Sequence, residues 1–140
     1  MICYVVIDTN VLVSALISNR ADAATVQLVG RLISGEIVPV YSNEIIREYR
    51  EVLCRKKFRF EQNMINYILL AIERYGVMVE PSATGIVLPD MKDLPFYEVV
   101  MEKREEGAYL VTGNLKHFPV KPFIVTAREM LDILDGKSAL

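Results

Sequence analysis

The 140 residues suit one domain spanning 1–140, long enough to bury roughly two thirds of its unfolded surface without metal or disulfide staples. The balance of 16 Lys plus Arg against 18 Asp plus Glu gives a net charge of −2, so no global pull toward nucleic acid is expected and any such pull must be local. Hydrophobic residues make up 52% of the chain, yet no apolar run approaches the ~20 residues of a membrane span, and two cysteines, Cys3 and Cys54, are too few for a disulfide framework and lack metal-like spacing.

Along the chain, Tyr4-Val5-Val6-Ile7 is an apolar run without polar alternation, as in a parallel strand covered on both faces. It starts so early that no secretory leader fits before it, and a cytoplasmic protein is expected. Asp8 closes the run and two helices follow, "TNVLVSALIS" and "AATVQLVGRLISG", the second ended by Gly35. "EIVPVYS" is a short strand running into Ser42, a good N-cap for the helix "NEIIREYREVLCR", whose apolar positions 45, 46, 49, 52 and 53 keep a helical period. The basic link "RKKFRF" leads to the helix "EQNMINYILLAIERYG", closed by Gly76, and "VMVE" is a third strand. After the long loop "PSATGIVLPDMKD", Asp93 opens the helix "LPFYEVVMEKREEG", "AYLVTGN" is a fourth strand, "FIVT" a fifth, and "AREMLDILDG" the closing helix. Strands alternating with helices predict an α/β fold, a parallel five-stranded sheet with helices on both faces and right-handed crossovers.

In such sheets ligands bind beyond the carboxyl ends of the strands. Asp8, Glu44, Glu48, Asp93 and Asn114 all fall on that edge. Acidic side chains gathered without matching cations repel one another, and a bound hard cation such as Mg2+ or Mn2+ removes the penalty. Two such ions about 3.5–4 Å apart activate water and stabilise a leaving oxygen, which suggests phosphodiester hydrolysis. Each residue also has a plainer role open to it. Asp8 and Asp93 are ready N-caps, Glu44 and Glu48 sit four apart like many surface glutamates, and Thr112-Gly113-Asn114 reads equally as a turn.

The segments "VVIDTNVLVSAL", "YSNEIIREYREVL", "PDMKDLPFYEVV" and "YLVTGNLKHF", in that order, resemble the PIN-domain nucleases, especially the toxin components of prokaryotic toxin–antitoxin pairs. The resemblance implies a three-layer α/β/α sandwich with strand order 3-2-1-4-5 and a metal-dependent endoribonuclease with an antitoxin partner. Carried over by residue, it implies that Asp8, Glu48 and Asp93 are the catalytic metal ligands. Asn10 would orient Asp8, Thr112 and Glu44 would support the site, and Asp90 and Glu98 are weaker candidates near Asp93. Asn114 stands where many members carry a fourth aspartate. A neutral amide there weakens the case for a second tightly held ion and leaves open a non-catalytic RNA- or protein-binding scaffold.

The stretch Cys54–Phe60 interleaves Arg55, Lys56, Lys57 and Arg59 with Phe58 and Phe60, which suits RNA backbone and base stacking, or equally a solvated helix end with two core anchors. The lone histidine, His117, reads as a surface residue in a loop, able at most to touch phosphate. From Met64 to Tyr75 the helix is apolar on more than one face, which predicts burial or an interface, either a homodimer or an antitoxin contact.

Overall fold

The computed structural model describes residues 2–136. Its strands are β1 (Tyr4–Ile7), β2 (Val38–Tyr41), β3 (Val77–Met78), β4 (Tyr109–Val111) and β5 (Ile124–Val125). Its helices are α1 (Thr9–Ile17), α2 (Ala24–Ile33), α3 (Asn43–Leu53), α4 (Gln62–Tyr75), α5 (Leu94–Glu102) and α6 (Ala127–Leu134). All strand pairs are parallel, and the sheet runs β3-β2-β1-β4-β5.

That order fixes where a ligand can sit. The chain moves outward from β1 to β2 and β3, then returns to the other side of β1 for β4 and β5. With right-handed crossovers, α2 and α4 before this reversal and α5 after it lie on opposite faces of the sheet, while α3 contacts both α1 and α5. The loops leaving β1 and β4 therefore diverge and open a crevice at the carboxyl ends of those two strands. Register brings the two ends level: Ile7 pairs with Val111, and the Asp8 N–H extends the ladder to the Val111 carbonyl at 2.9 Å.

The core is built from the strand and helix faces the apolar pattern selected. Val5, Val6, Leu110 and Val111 are fully buried, and α5 lays Phe96, Val99 and Val100 across β1, β2 and β4. Leu28 and Leu32 of α2 meet α1, α4 and α6. Helix α4 buries Ile65, Ile68, Leu69 and Ile72 but leaves Met64, Tyr67 and Leu70 exposed, so it is both a core helix and an open apolar ridge.

Local chemistry sets the element ends. Ser42 caps α3 by accepting from the Ile45 N–H at 3.2 Å, as its position suggested, and Thr126 with Glu129 forms a capping box on α6. Two stretches depart from expectation. The helix from Leu94 stops at Glu102, and the charged run that follows tightens into a 3-10 turn released by Gly107 at φ +79°. The strands expected over 77–80 and 123–126 keep only two paired residues each, because an edge strand has a neighbour on one side alone. Pro39 is tolerated inside β2 because the Val38 N–H points to β1, which turns the Pro39 nitrogen toward the β3 side, where pairing begins only at Val40. Gly76 fills that gap: a Cβ there would lie 2.3 Å from the Ile72 carbonyl oxygen and 2.5 Å from that of Pro39.

Candidate functional site

Asp8 is the centre of the crevice, 5% exposed at the end of β1. It occupies the N-cap position of α1, but its side chain makes no capping bond. Its Oδ2 instead accepts from the Thr112 hydroxyl at 2.8 Å, across the β1–β4 junction, and Thr112 itself is fully buried. The same hydroxyl accepts from the Asn114 N–H at 3.0 Å, so one oxygen orients Asp8 and shapes the turn after β4. Asn10 does not hold this carboxylate. It is exposed on the first turn of α1 and makes no hydrogen bond to Asp8 among the described residues, and Thr112 supplies the hydrogen bond that orientation needs.

Glu48 reaches the same edge from the middle of α3. Tyr49, fully enclosed and packed on Phe96 at 6.3 Å between ring centroids, donates its hydroxyl to the Ile7 carbonyl and locks α3 to the end of β1. Burial, then the Asp8 and Glu48 carboxylates, hold the Tyr49 phenol well above its ordinary pKa, so it remains a donor. With α3 held, the half-buried Glu48 accepts from the hydroxyl of Thr9, a residue whose role sequence reading did not single out. Asp93, at the mouth of α5, accepts from His117 Nδ1 at 2.9 Å.

The three carboxylates act on one another. Burial raises the pKa of each, most directly for Asp8, and the Asp93 and Glu48 charges raise Asp8 further. Hydrogen bonds from Thr112, Thr9 and His117 work in the opposite direction without cancelling the rise. Among the described residues no Lys or Arg forms an ion pair with Asp8, Glu48 or Asp93. A set of hard oxygens held near one another at an energetic cost, without a protein cation, fits a divalent ion.

The remaining candidates divide. Glu44 lines, with Glu48, Met91, Lys92 and Glu98, a cleft of about 310 Å3 between α3 and the start of α5. Glu98 accepts from the backbone and hydroxyl of Thr84 at 2.7 and 3.1 Å, so it tethers the long loop before α5. Asp90 caps the 3-10 turn over Met91–Asp93 through the Lys92 N–H, yet its carboxylate also falls with Asp93 and His117 in a trio whose ligand atoms lie within 4.8 Å of one another. Asp8 and Glu48 stand outside that tighter trio. His117, read as a surface loop residue, is half-buried against the site. Its signal in the sequence is the spacing Asn114-x-x-His117, which a 3-10 turn converts into a side-chain contact.

The basic stretch lies elsewhere. It follows the far end of α3, roughly 15 Å of helix from the sheet edge. Arg55 pairs with Glu51 at 3.0 Å, and Lys57 sits over the Phe58 ring at 5.1 Å. Phe58 and Phe60 stack at 5.4 Å while packing on the core, and Lys56 and Arg59 are exposed.

A family model described as PIN domain matches residues 4–116, the span that contains Asp8, Glu48, Asp93 and Asn114. No protein of curated function and no solved structure matches the chain.

Proposed function

The chain belongs to the PIN-domain family, and on that premise we propose that it is an endoribonuclease dependent on Mg2+ or Mn2+, acting as the toxin of a toxin–antitoxin pair. The observation that carries the nuclease reading is the convergence of Asp8, Glu48 and Asp93 on one crevice, each pushed toward protonation by burial and neighbouring carboxylates and none paired with a Lys or Arg among the described residues. The toxin role, the antitoxin partner and the RNA substrate come from the family resemblance, and a cytoplasmic setting from two cysteines too few for a disulfide framework. An adjoining small gene for a DNA-binding antitoxin would support the toxin role.

When bound, a divalent cation supplies polarisation of the phosphate oxygens and a more acidic water. Asp8, Glu48 and Asp93 would hold it, with the Asn114 amide oxygen as a neutral donor. Thr112 keeps the Asp8 carboxylate aimed into the crevice, Thr9 does the same for Glu48, and His117 for Asp93. Asn10 and Asn114 are exposed and would be accessible to an incoming phosphate. Water is the nucleophile.

The test pairs manganese-dependent cleavage of single-stranded RNA with the thermal midpoint of the metal-free protein, for wild type and Asp8→Asn. The amide keeps the shape and can still accept from Thr112, so the fold survives while cleavage is lost. Full cleavage by Asp8→Asn would overturn the proposal. The amide at 114 favours a second reading, a scaffold that binds RNA or protein without cutting; a wild-type protein indifferent to divalent ions in calorimetry would select it.

A further inference from the structure

The turn after β4 carries a polarity that the crevice alone does not reveal. Asn114 is the N-cap of the 3-10 turn Leu115–His117. Residues three apart eclipse in such a turn, which places the His117 ring beside the Asn114 side chain, with Nε2 2.9 Å from the amide Nδ2. The other ring nitrogen, Nδ1, lies 2.9 Å from Asp93 Oδ2. An ionised carboxylate only accepts, so Nδ1 carries the hydrogen. In the neutral ring Nε2 is then a bare acceptor, and its only possible donor in this contact is the Asn114 NH2.

The chain of bonds therefore runs one way, from Asn114 to His117 to Asp93. Turning the NH2 onto the ring leaves the Asn114 carbonyl oxygen pointing away from it and unclaimed by any side-chain hydrogen bond among the described residues. At its backbone end the same residue is held by the Thr112 hydroxyl that also holds Asp8. An aspartate at 114 has no hydrogen to give Nε2, so the amide at 114 and the histidine at 117 are matched to each other.

We propose that His117 is a positioning residue of the acidic site: it aims the Asp93 carboxylate and turns the Asn114 amide so that oxygen, not NH2, is presented to the cation. The inference rests on the reading that this edge holds a divalent ion. A free NH2 would place partial positive charge against the cation, and a freely rotating amide would offer its oxygen only part of the time. The three side chains join the loop before α5 to the loop after β4, so one ring fixes donors delivered by two separate segments.

The experiment measures Mn2+ affinity of the full chain by the electron paramagnetic resonance signal of free Mn2+, for wild type, His117→Ala, His117→Asn, Asn114→Ala and the double alanine variant, each with its thermal midpoint. Removing a hydrogen-bonding partner of metal ligands typically weakens metal affinity about 10- to 100-fold, and His117→Ala should lose at least about tenfold. His117→Asn, whose amide nitrogen takes the place of Nδ1, should recover part of that loss by donating to Asp93. In the Asn114→Ala background, His117→Ala should cost less than it does alone, because one of its two clients is gone. Wild-type Mn2+ binding with unchanged affinity in His117→Ala overturns the inference while leaving the nuclease reading intact. Full additivity in the double variant overturns the link through Asn114. Absence of Mn2+ binding in wild type overturns the underlying reading and this inference with it.

Discussion

Thr112→Val isolates one hydroxyl at nearly constant shape. Thr112 is fully buried, donates to Asp8 at 2.8 Å and accepts from the Asn114 N–H at 3.0 Å. A hydrogen bond to a charged group contributes about 1.5–3 kcal/mol, and Asp8, nearly sealed from solvent, has little water to replace it. The Asn114 N–H belongs to an exposed residue and can turn to water, so its share is small. The sum is a loss of about 2–3 kcal/mol. At about 3–4 °C per kcal/mol for a chain of this size, the metal-free midpoint should fall by about 6–12 °C. The loss also has a pH signature. Thr112 lowers a carboxylate pKa that burial has raised, so it stabilises the ionised form of Asp8. Without it the folded pKa climbs further, and the deficit should be least in acid, where Asp8 is protonated folded and unfolded, and grow as pH rises through the folded value. Circular dichroism melts at about pH 2.5 and about pH 7 read this directly. Thr112→Ser keeps the hydroxyl and should cost only about 0.8 kcal/mol for the lost methyl. A Thr112→Val protein that melts with wild type at both pH values refutes the claim that this residue holds Asp8.

Three carboxylates with raised folded pKa values contribute stability that is full below the ordinary carboxylate range and lost as pH rises through those values, so metal-free Asp8→Asn should equal or exceed the wild-type midpoint near neutral pH; a lower midpoint there would show that the Asp8 charge stabilises the fold. Replacing Arg55, Lys56 and Lys57 with Ala should flatten the salt dependence of long-RNA binding while leaving cleavage of a short oligonucleotide unchanged, since the patch lies a helix length from the crevice; an unaltered salt slope removes it from the RNA path. Gly76→Ala should cost about 3 kcal/mol or prevent folding, because the added carbon meets two backbone carbonyls that cannot yield; a denaturation midpoint near wild type would refute the contact.

Much of the architecture was legible because period and punctuation agree: an unbroken apolar run at Tyr4–Ile7, Ser42 before a helical stripe, Gly35 and Gly76 after others. The sheet order came from family resemblance, since apolar runs specify strands without naming their neighbours. Side-chain partners were the least legible part. Asn10 stands next to Asp8 in sequence and was the natural candidate to orient it, yet a helix turns adjacent residues apart, and the partner is Thr112, 104 positions on. Thr9 and Glu48 meet across 39 positions in the same way. A lone loop histidine such as His117 has no period to betray it; only the short turn after Asn114 brings it to Asp93.

The level register of β1 with β4 also sets when the crevice can exist. Asp8 is made 104 residues before the hydroxyl that holds it, and at about 5–20 residues per second that gap lasts on the order of 5–20 s. Until β4 is made, the central strand lacks its partner on one side, and Asp93, Asn114 and His117 cannot be placed. Contacts so distant along the chain form late in folding as well as late in translation. The acidic site of a protein that acts on RNA, as proposed, is thus assembled only after the segment that carries β4 has been made.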